Sequence, residues 1–314
     1  MKKAFVFPGQ GAQTIGMGKA LAEAYPASRA VFDEVDAALG ENLSALIWDG
    51  EQDTLTLTQN AQPALMATSL AAMRALEAEG VDIGAASLVA GHSLGEYSAL
   101  AAAGALSISD CARLLRTRGQ AMQAAVPVGK GAMAAILGLD FAAVKAVAEE
   151  ASQGGGVVQA ANDNDPAQVV VSGDADAVGR AVELAKDKGA KRAMLLPVSA
   201  PFHSALMAPA AEAMAEALEA VEIRAPRVPV VANVTATAVE DPAEIRKLLV
   251  QQVTGSVRWR ESVEYMGAQG VSEVWEIGAG KALIGMVRRI NRDIGTRAVG
   301  TPEDVTAAAE AHSG

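Results

Sequence analysis

An α/β fold, with a largely parallel buried sheet and a smaller ferredoxin-like unit set into it, is what this 314-residue chain predicts. Two rhythms carry that expectation. Short apolar runs bounded by Gly or Pro recur, each followed by a helix-length segment: AFVF at 4–7, SLVA at 87–90, VPVVANV at 228–234 and EVWEI at 273–277. Continuous apolar runs of this length suit strands covered on both faces, as a parallel sheet between helices requires. Between 127 and 199 the order becomes strand (132–137), helix (141–151), strand (157–161), strand (168–172), helix (175–188), strand (192–196). That β-α-β-β-α-β order is the split βαβ pattern. Gly154, Gly155 and Gly156, and the NDNDP segment at 162–166, supply its turn signals. The expected division is residues 1–127 and 199–314 for a large α/β domain and residues 128–198 for the small one.

Composition narrows the function classes. With 51% apolar and 20% charged residues the chain can bury a large core, and with only 4% aromatics that core is built from Ala, Val, Leu, Ile and Met. The 26 Lys and Arg against 37 Asp and Glu give a net charge of −11, which disfavours nucleic acid as a partner. A single cysteine, Cys111, excludes an internal disulfide framework and a cysteine-based zinc site, so no metal is expected and a cytoplasmic location is. The opening MKKAFVFPGQ imitates a secretory signal, but Pro8 and Gly9 end its apolar run after four residues, and a first buried strand is the better reading. No run of 18 apolar residues is present, so no membrane partner is expected. A monomer is the default.

The segment LVAGHSLGEYSAL at 88–100 places Gly91, Ser93 and Gly95 at G-x-S-x-G spacing, after an apolar strand and before a helix. A nucleophile elbow needs a sharp strand-to-helix turn, and flanking glycines remove the Cβ atoms that would collide there. The large domain is accordingly expected to be an α/β-hydrolase-like core. Ser93 would sit at a helix N-terminus, where the N–H of Leu94 can face a developing oxyanion. A glycine-rich turn with a serine cap is the plainer alternative. Three histidines are candidates for its base. His92 adjoins the serine and should project away from it; His312 lies two residues from the end; His203, in the Pro-bounded PVSAPFHSALM at 197–207, is left. No Asp-Gly-Gly or Asp-Gly-Ala follows the serine, which argues against a Ser-Asp pair. FPGQGAQ at 7–13 fails as a dinucleotide fingerprint because Thr14 stands where the third glycine is needed, and IGAGKAL at 277–283 lacks the first glycine and the Ser or Thr of a P-loop. The first of these loops could instead offer the N–H of Gln10 to an oxyanion hole.

Taken together in this order, FPGQGAQ, TQNAQPAL, GHSLGEYSAL, the Arg118-Gly119 pair, GAMAAILGL, APFHS and EIGAGKAL span the chain from Phe5 to about Asn291. On these motifs the sequence resembles the malonyl-CoA:acyl carrier protein transacylases, an acyltransferase family. The resemblance implies that Ser93 attacks a malonyl thioester, that His203 accepts and returns the proton, and that the amides of Leu94 and Gln10 hold the oxyanion. It implies that Arg118 pairs with the free malonyl carboxylate, where the residues alone favour a surface charge beside Arg113 and Arg116. It makes Gln252, in LVQQVTGSVRW, the residue whose backbone carbonyl orients the histidine. Gln62, Asn162 and Asn164 become neighbours of the acyl pocket, although turn formation is an equal reading of the asparagines. Phe202 becomes a bulky wall suited to unbranched malonyl. The implied partners are malonyl-CoA, with its coenzyme A product, and an acyl carrier protein bearing the phosphopantetheine, with no cofactor of the enzyme's own and fatty acid biosynthesis as the destination. Basic side chains at Lys281, Arg288, Arg289 and Arg292, and at Lys188, Lys191 and Arg192, are candidate docking patches. A serine thioesterase or esterase, and a non-catalytic carrier-binding module, are the competing classes.

Overall fold

The computed structural model describes residues 1–198 and 200–314; Ser199, at which the large domain is expected to resume, lies outside the described residues. Among the described residues ten strands form two sheets. They are β1 (Lys2–Phe7), β2 (Leu88–Gly91), β3 (Gly131–Leu137), β4 (Val158–Asp165), β5 (Gln168–Asp174), β6 (Arg192–Leu195), β7 (Val230–Val231), β8 (Ala238–Val239), β9 (Val271–Ile277) and β10 (Gly295–Val299). The large sheet runs β10-β9-β1-β2-β7-β8, parallel throughout except for the β7–β8 hairpin. Side chains of β1 alternate between its two faces. Phe5 and Phe7 enter the core that contains the Ala-rich helix Thr58–Ala78, while Ala4 and Val6 pack with Trp259, Val263 and Val287. Both faces are therefore covered, which is why these strands read as unbroken apolar runs.

The small sheet runs β4-β5-β3-β6 and is antiparallel throughout. Helices Phe141–Ser152 and Ala175–Asp187 place Val144, Val147, Val178 and Ala181 on one of its faces in a separate core. Its seam with the large sheet lies along β4. There the N–H of Asp163 donates to the Val257 carbonyl at 2.9 Å, and the N–H of Val257 to that of Ala161 at 2.8 Å. Asp163 pairs with Arg260 at 2.9 Å, and Asp165 with Arg289 at 2.7 Å.

Three local expectations need correction. Asn162 to Asp165 are strand, not turn, because tertiary partners outweigh the low strand preference of Asn and Asp. The strand expected over 228–234 shrinks to Val230–Val231, and β10 is an additional edge strand. His312, whose place two residues from the end in a polar stretch reads as a tail, is helical. It ends the helix Pro302–Ser313, which a Thr301/Asp304 capping box starts, and its Nδ1 lies 3.2 Å from Lys3 Nζ.

Candidate active site

At the end of β2 the chain reverses into the helix Gly95–Ala102. The turn is so tight that a Cβ on Gly91 would lie 1.9 Å from the Gly95 carbonyl oxygen, and one on Gly95 would lie 2.2 Å from that of Phe7. Only glycine fits either place. Between them Ser93 adopts a left-handed backbone, φ 54°, the strained geometry that presents an elbow side chain. Leu94 precedes the first helical residue, where N–H groups have no partner within the helix. The His92 N–H donates to the Phe7 carbonyl at 3.1 Å, which draws the loop carrying Gln10 against the turn.

Ser93 Oγ lies 2.7 Å from His203 Nε2, and His203 Nδ1 lies 2.9 Å from the Gln252 carbonyl oxygen. Because a carbonyl only accepts, Nδ1 carries the proton and Nε2 is free to accept from the Ser93 hydroxyl. His203 is buried, and burial, aided by the positive charge of Arg118, pulls its pKa down to about 3. The ring is thus neutral over the ordinary pH range. His92 is half-buried, with Nε2 2.7 Å from Asn164 Oδ1, so its ring is engaged with the small sheet.

Arg118, on the helix Ile108–Ala124, is 1% exposed. Its Nη2 donates to Ser93 Oγ at 3.1 Å and to Gln252 Oε1 at 2.9 Å, and its Nη1 to Gln62 Oε1 at 2.8 Å. Nε has no hydrogen-bond partner, and the guanidinium forms no ion pair, among the described residues. Burial lowers its pKa from the usual guanidinium range. A cavity of about 650 Å³ opens on these groups. Gln10, Gln62, His92, Ser93, Leu94, Arg118, Asn162, Phe202 and His203 line it, together with Met122 and Met133. Gln62 is held by Arg118 and, at 3.7 Å, by Met122 Sδ. Asn162 Oδ1 is buried with no partner among the described residues. Gln252 lies outside the lining, in the last turn of the helix Pro242–Thr254, and is fully buried, although its sequence alone reads as an exposed helix-end glutamine. No group of three or more His, Cys, Asp or Glu among the described residues is arranged to hold a metal ion.

Two residues at this site escape the sequence. Asn233, just beyond β7, accepts the Ser93 N–H on Oδ1 at 2.9 Å and donates from Nδ2 to the Gly91 carbonyl at 2.7 Å. Glu96, in the first helical turn after Ser93, accepts from the Asn233 N–H at 3.1 Å and from Gln252 Nε2 at 2.8 Å. Burial pushes its pKa up to about 7 against the opposing pull of those bonds. The GEYSAL motif contains Glu96, but nothing in its spacing points to partners 137 and 156 positions away.

Residues 4–296 match the family model of the acyl transferase domain, which is the class of protein that this fold and pocket define. The malonyl CoA-acyl carrier protein transacylase of Bacillus subtilis (strain 168) is 50% identical over 97% of this chain and 95% of its own. The crystal structure of an acyl-carrier-protein-S-malonyltransferase from Bartonella henselae superposes with a TM-score of 0.97 at 57% identity, covering 100% of both chains. A malonyl-transacylase solved in complex with a type II PKS acyl-carrier protein gives 0.96 at 43% identity, over 99% of this chain and 100% of its own. The chain belongs to the malonyl CoA-acyl carrier protein transacylases of the acyl transferase family.

Proposed function

We propose that this protein moves malonyl from malonyl-CoA to the phosphopantetheine thiol of an acyl carrier protein through a malonyl ester of Ser93, and so supplies fatty acid biosynthesis. The Ser93 proton passes to His203 Nε2 as Oγ bonds to the thioester carbon. The N–H groups of Leu94 and Gln10 receive the oxyanion. Its collapse breaks the C–S bond, and the coenzyme A thiolate takes the proton from His203. The carrier thiol then gives its proton to His203 and attacks the ester, and the second collapse returns the proton to Ser93. No acid among the described residues hydrogen-bonds the histidine: the Gln252 carbonyl fixes the tautomer, and Arg118 also donates to the serine oxygen.

The observation that carries the substrate is the guanidinium of Arg118, buried 3.1 Å from Ser93 Oγ without an ion pair among the described residues. A buried cation lacking a counter-charge is costly, and a substrate carboxylate entering the cavity supplies one through paired, charge-assisted hydrogen bonds. Phe202, Met122 and Met133 wall the space beside it and suit an unbranched acyl group. We read residues 128–198 as a small domain that closes one side of this cavity and residues 1–127 and 199–314 as the catalytic domain. A cytoplasmic monomer is the working form. No helix among the described residues is long and apolar enough to cross a membrane. Of the basic side chains suggested for carrier docking, Arg289 is held by Asp165, Lys188 by Glu150 and Arg288 by Thr296 Oγ1, which leaves Lys191, Arg192, Lys281 and Arg292 as the freer candidates.

Intact-protein mass spectrometry after brief mixing with malonyl-CoA tests the scheme. A malonyl adduct is expected on the wild type, absent from Ser93→Ala and discharged by carrier protein, with transfer in the variant lower by about 10⁴-fold or more. Free malonate accumulating without an adduct would indicate a hydrolase, and neither adduct nor turnover would indicate a carrier-binding module.

A further inference from the structure

The reaction scheme leaves one buried acid without a task. Glu96 is 3% exposed and forms no ion pair among the described residues. Burying a carboxylate without an opposite charge is expensive. Its place in the first turn of the helix Gly95–Ala102 offsets part of that cost, yet an exposed acid would gain the same from the helix.

What Glu96 holds explains the burial. Its Oε2 joins Asn233 and Gln252. Asn233 grips the elbow at both ends, at the Gly91 carbonyl and the Ser93 N–H. Gln252 meets His203 through its backbone oxygen, Arg118 through Oε1 and the Ser93 carbonyl through Nε2, the last at 2.9 Å. Glu96 Oε2 accepts both of its hydrogen bonds, and a guanidinium only donates. The Gln252 amide is therefore oriented from both sides, NH₂ toward Glu96 and oxygen toward Arg118. Turned over, it would set donors against donors and acceptor against acceptor.

We propose that Glu96 is a positioning residue for the transfer: through Asn233 and Gln252 one carboxylate sets the placement of Ser93, His203 and Arg118 together. The interposed amide also keeps the acid off the guanidinium, so that Arg118 is held in place while its charge stays available to the carboxylate of the acyl group. This rests on the reading of Ser93 as the nucleophile.

The test is the rate constant for Ser93 phosphonylation by a fluorophosphonate, expressed per folded molecule by circular dichroism, beside kcat and KM for malonyl and acetyl transfer. Glu96→Ala is expected to lower the phosphonylation rate and kcat by about 100-fold, with malonyl transfer losing more than acetyl. Glu96→Gln, whose amide oxygen can still accept from Gln252 and Asn233, should recover the phosphonylation rate to within about fivefold of wild type. A role in stability alone would reduce the folded fraction and leave the rate per folded molecule unchanged, and that result would overturn the proposal. Should Glu96→Ala not fold, Glu96→Asp decides, because its carboxylate is withdrawn by one methylene: a loss of about tenfold supports the proposal and a wild-type rate rejects it. Labelling that persists in Ser93→Ala would reject the nucleophile reading. Labelling that needs Ser93 but ignores Glu96 would reject the positioning role alone.

Discussion

Along β4, Asp163 and Asp165 are almost wholly buried, and each meets an arginine from a helix of the large sheet. In the cavity Arg118 and Glu96 are buried to the same degree, but neither has an ion-pair partner among the described residues, and the amide of Gln252 stands between them. At the seam the opposite charges touch and their fields cancel locally. In the cavity the positive field reaches into the space beside Ser93. Pairing thus separates charge that fastens two sheets together from charge held ready for a ligand.

The sharpest way to break that distinction is Arg118→Ala. If the guanidinium is reserved for the acyl carboxylate, kcat/KM for malonyl-CoA should fall by about 10²- to 10³-fold while acetyl transfer falls far less. Equal losses in a comparison of the two thioesters would show that Arg118 supports only the serine. Asp163→Ala should do the reverse. Denaturant unfolding is expected to show a loss of about 2–4 kcal/mol from a broken buried pair, with the transfer rate per folded molecule kept. A pH series adds a third contrast. An ordinary histidine would be roughly 3% neutral at pH 5, whereas His203, with its pKa near 3, should leave Ser93 acylation at pH 5 close to its pH 7 rate. An acid limb near pH 6.5 that persists in Glu96→Gln, where the neighbouring acid cannot titrate, would refute this. In stability the sign is unfavourable to acid: between about 6.5 and 3 the unfolded chain holds a proton that folded His203 refuses, so this group lowers stability as pH falls. The smallest effect is expected from Arg289→Lys. It keeps the charge beside Asp165 on a half-exposed side chain, and the unfolding midpoint should register a change below about 1 kcal/mol.

The elbow was legible because its constraint is local: Gly91 and Gly95 flank Ser93 within one turn, and the collision they avoid is with backbone nearby in sequence or with the adjoining strand. His203 stands out as the candidate base through a short supply of histidines. The roles proposed for Arg118 and Gln252 rest on resemblance, since a basic helix residue and a polar helix end carry no mark of burial. Asn233 and Glu96 stayed hidden because their partners converge from β2, the helix Pro242–Thr254 and the turn after β7, a meeting that no sequence period encodes. The same cause misplaced the NDND segment. Its polar residues read as a turn until Val257, Arg260, Arg289 and His92 are seen to occupy their hydrogen bonds. In the fold, the buried central strands were readable, the apolar run at 228–234 overstated the two-residue β7, and the edge strands β8 and β10 fell below what an apolar run can signal.

Ser93 and His203 share a trait beyond their hydrogen bond: both hold φ near +55°, where a side chain costs about 1–2 kcal/mol relative to a relaxed backbone. Glycine at either position would relieve the strain and remove the chemistry. A lineage released from the need for transfer would therefore find more stable sequences one substitution away, at the codons of the proposed nucleophile and base. Stability alone would carry the gene in that direction, and only use of the two side chains would oppose it.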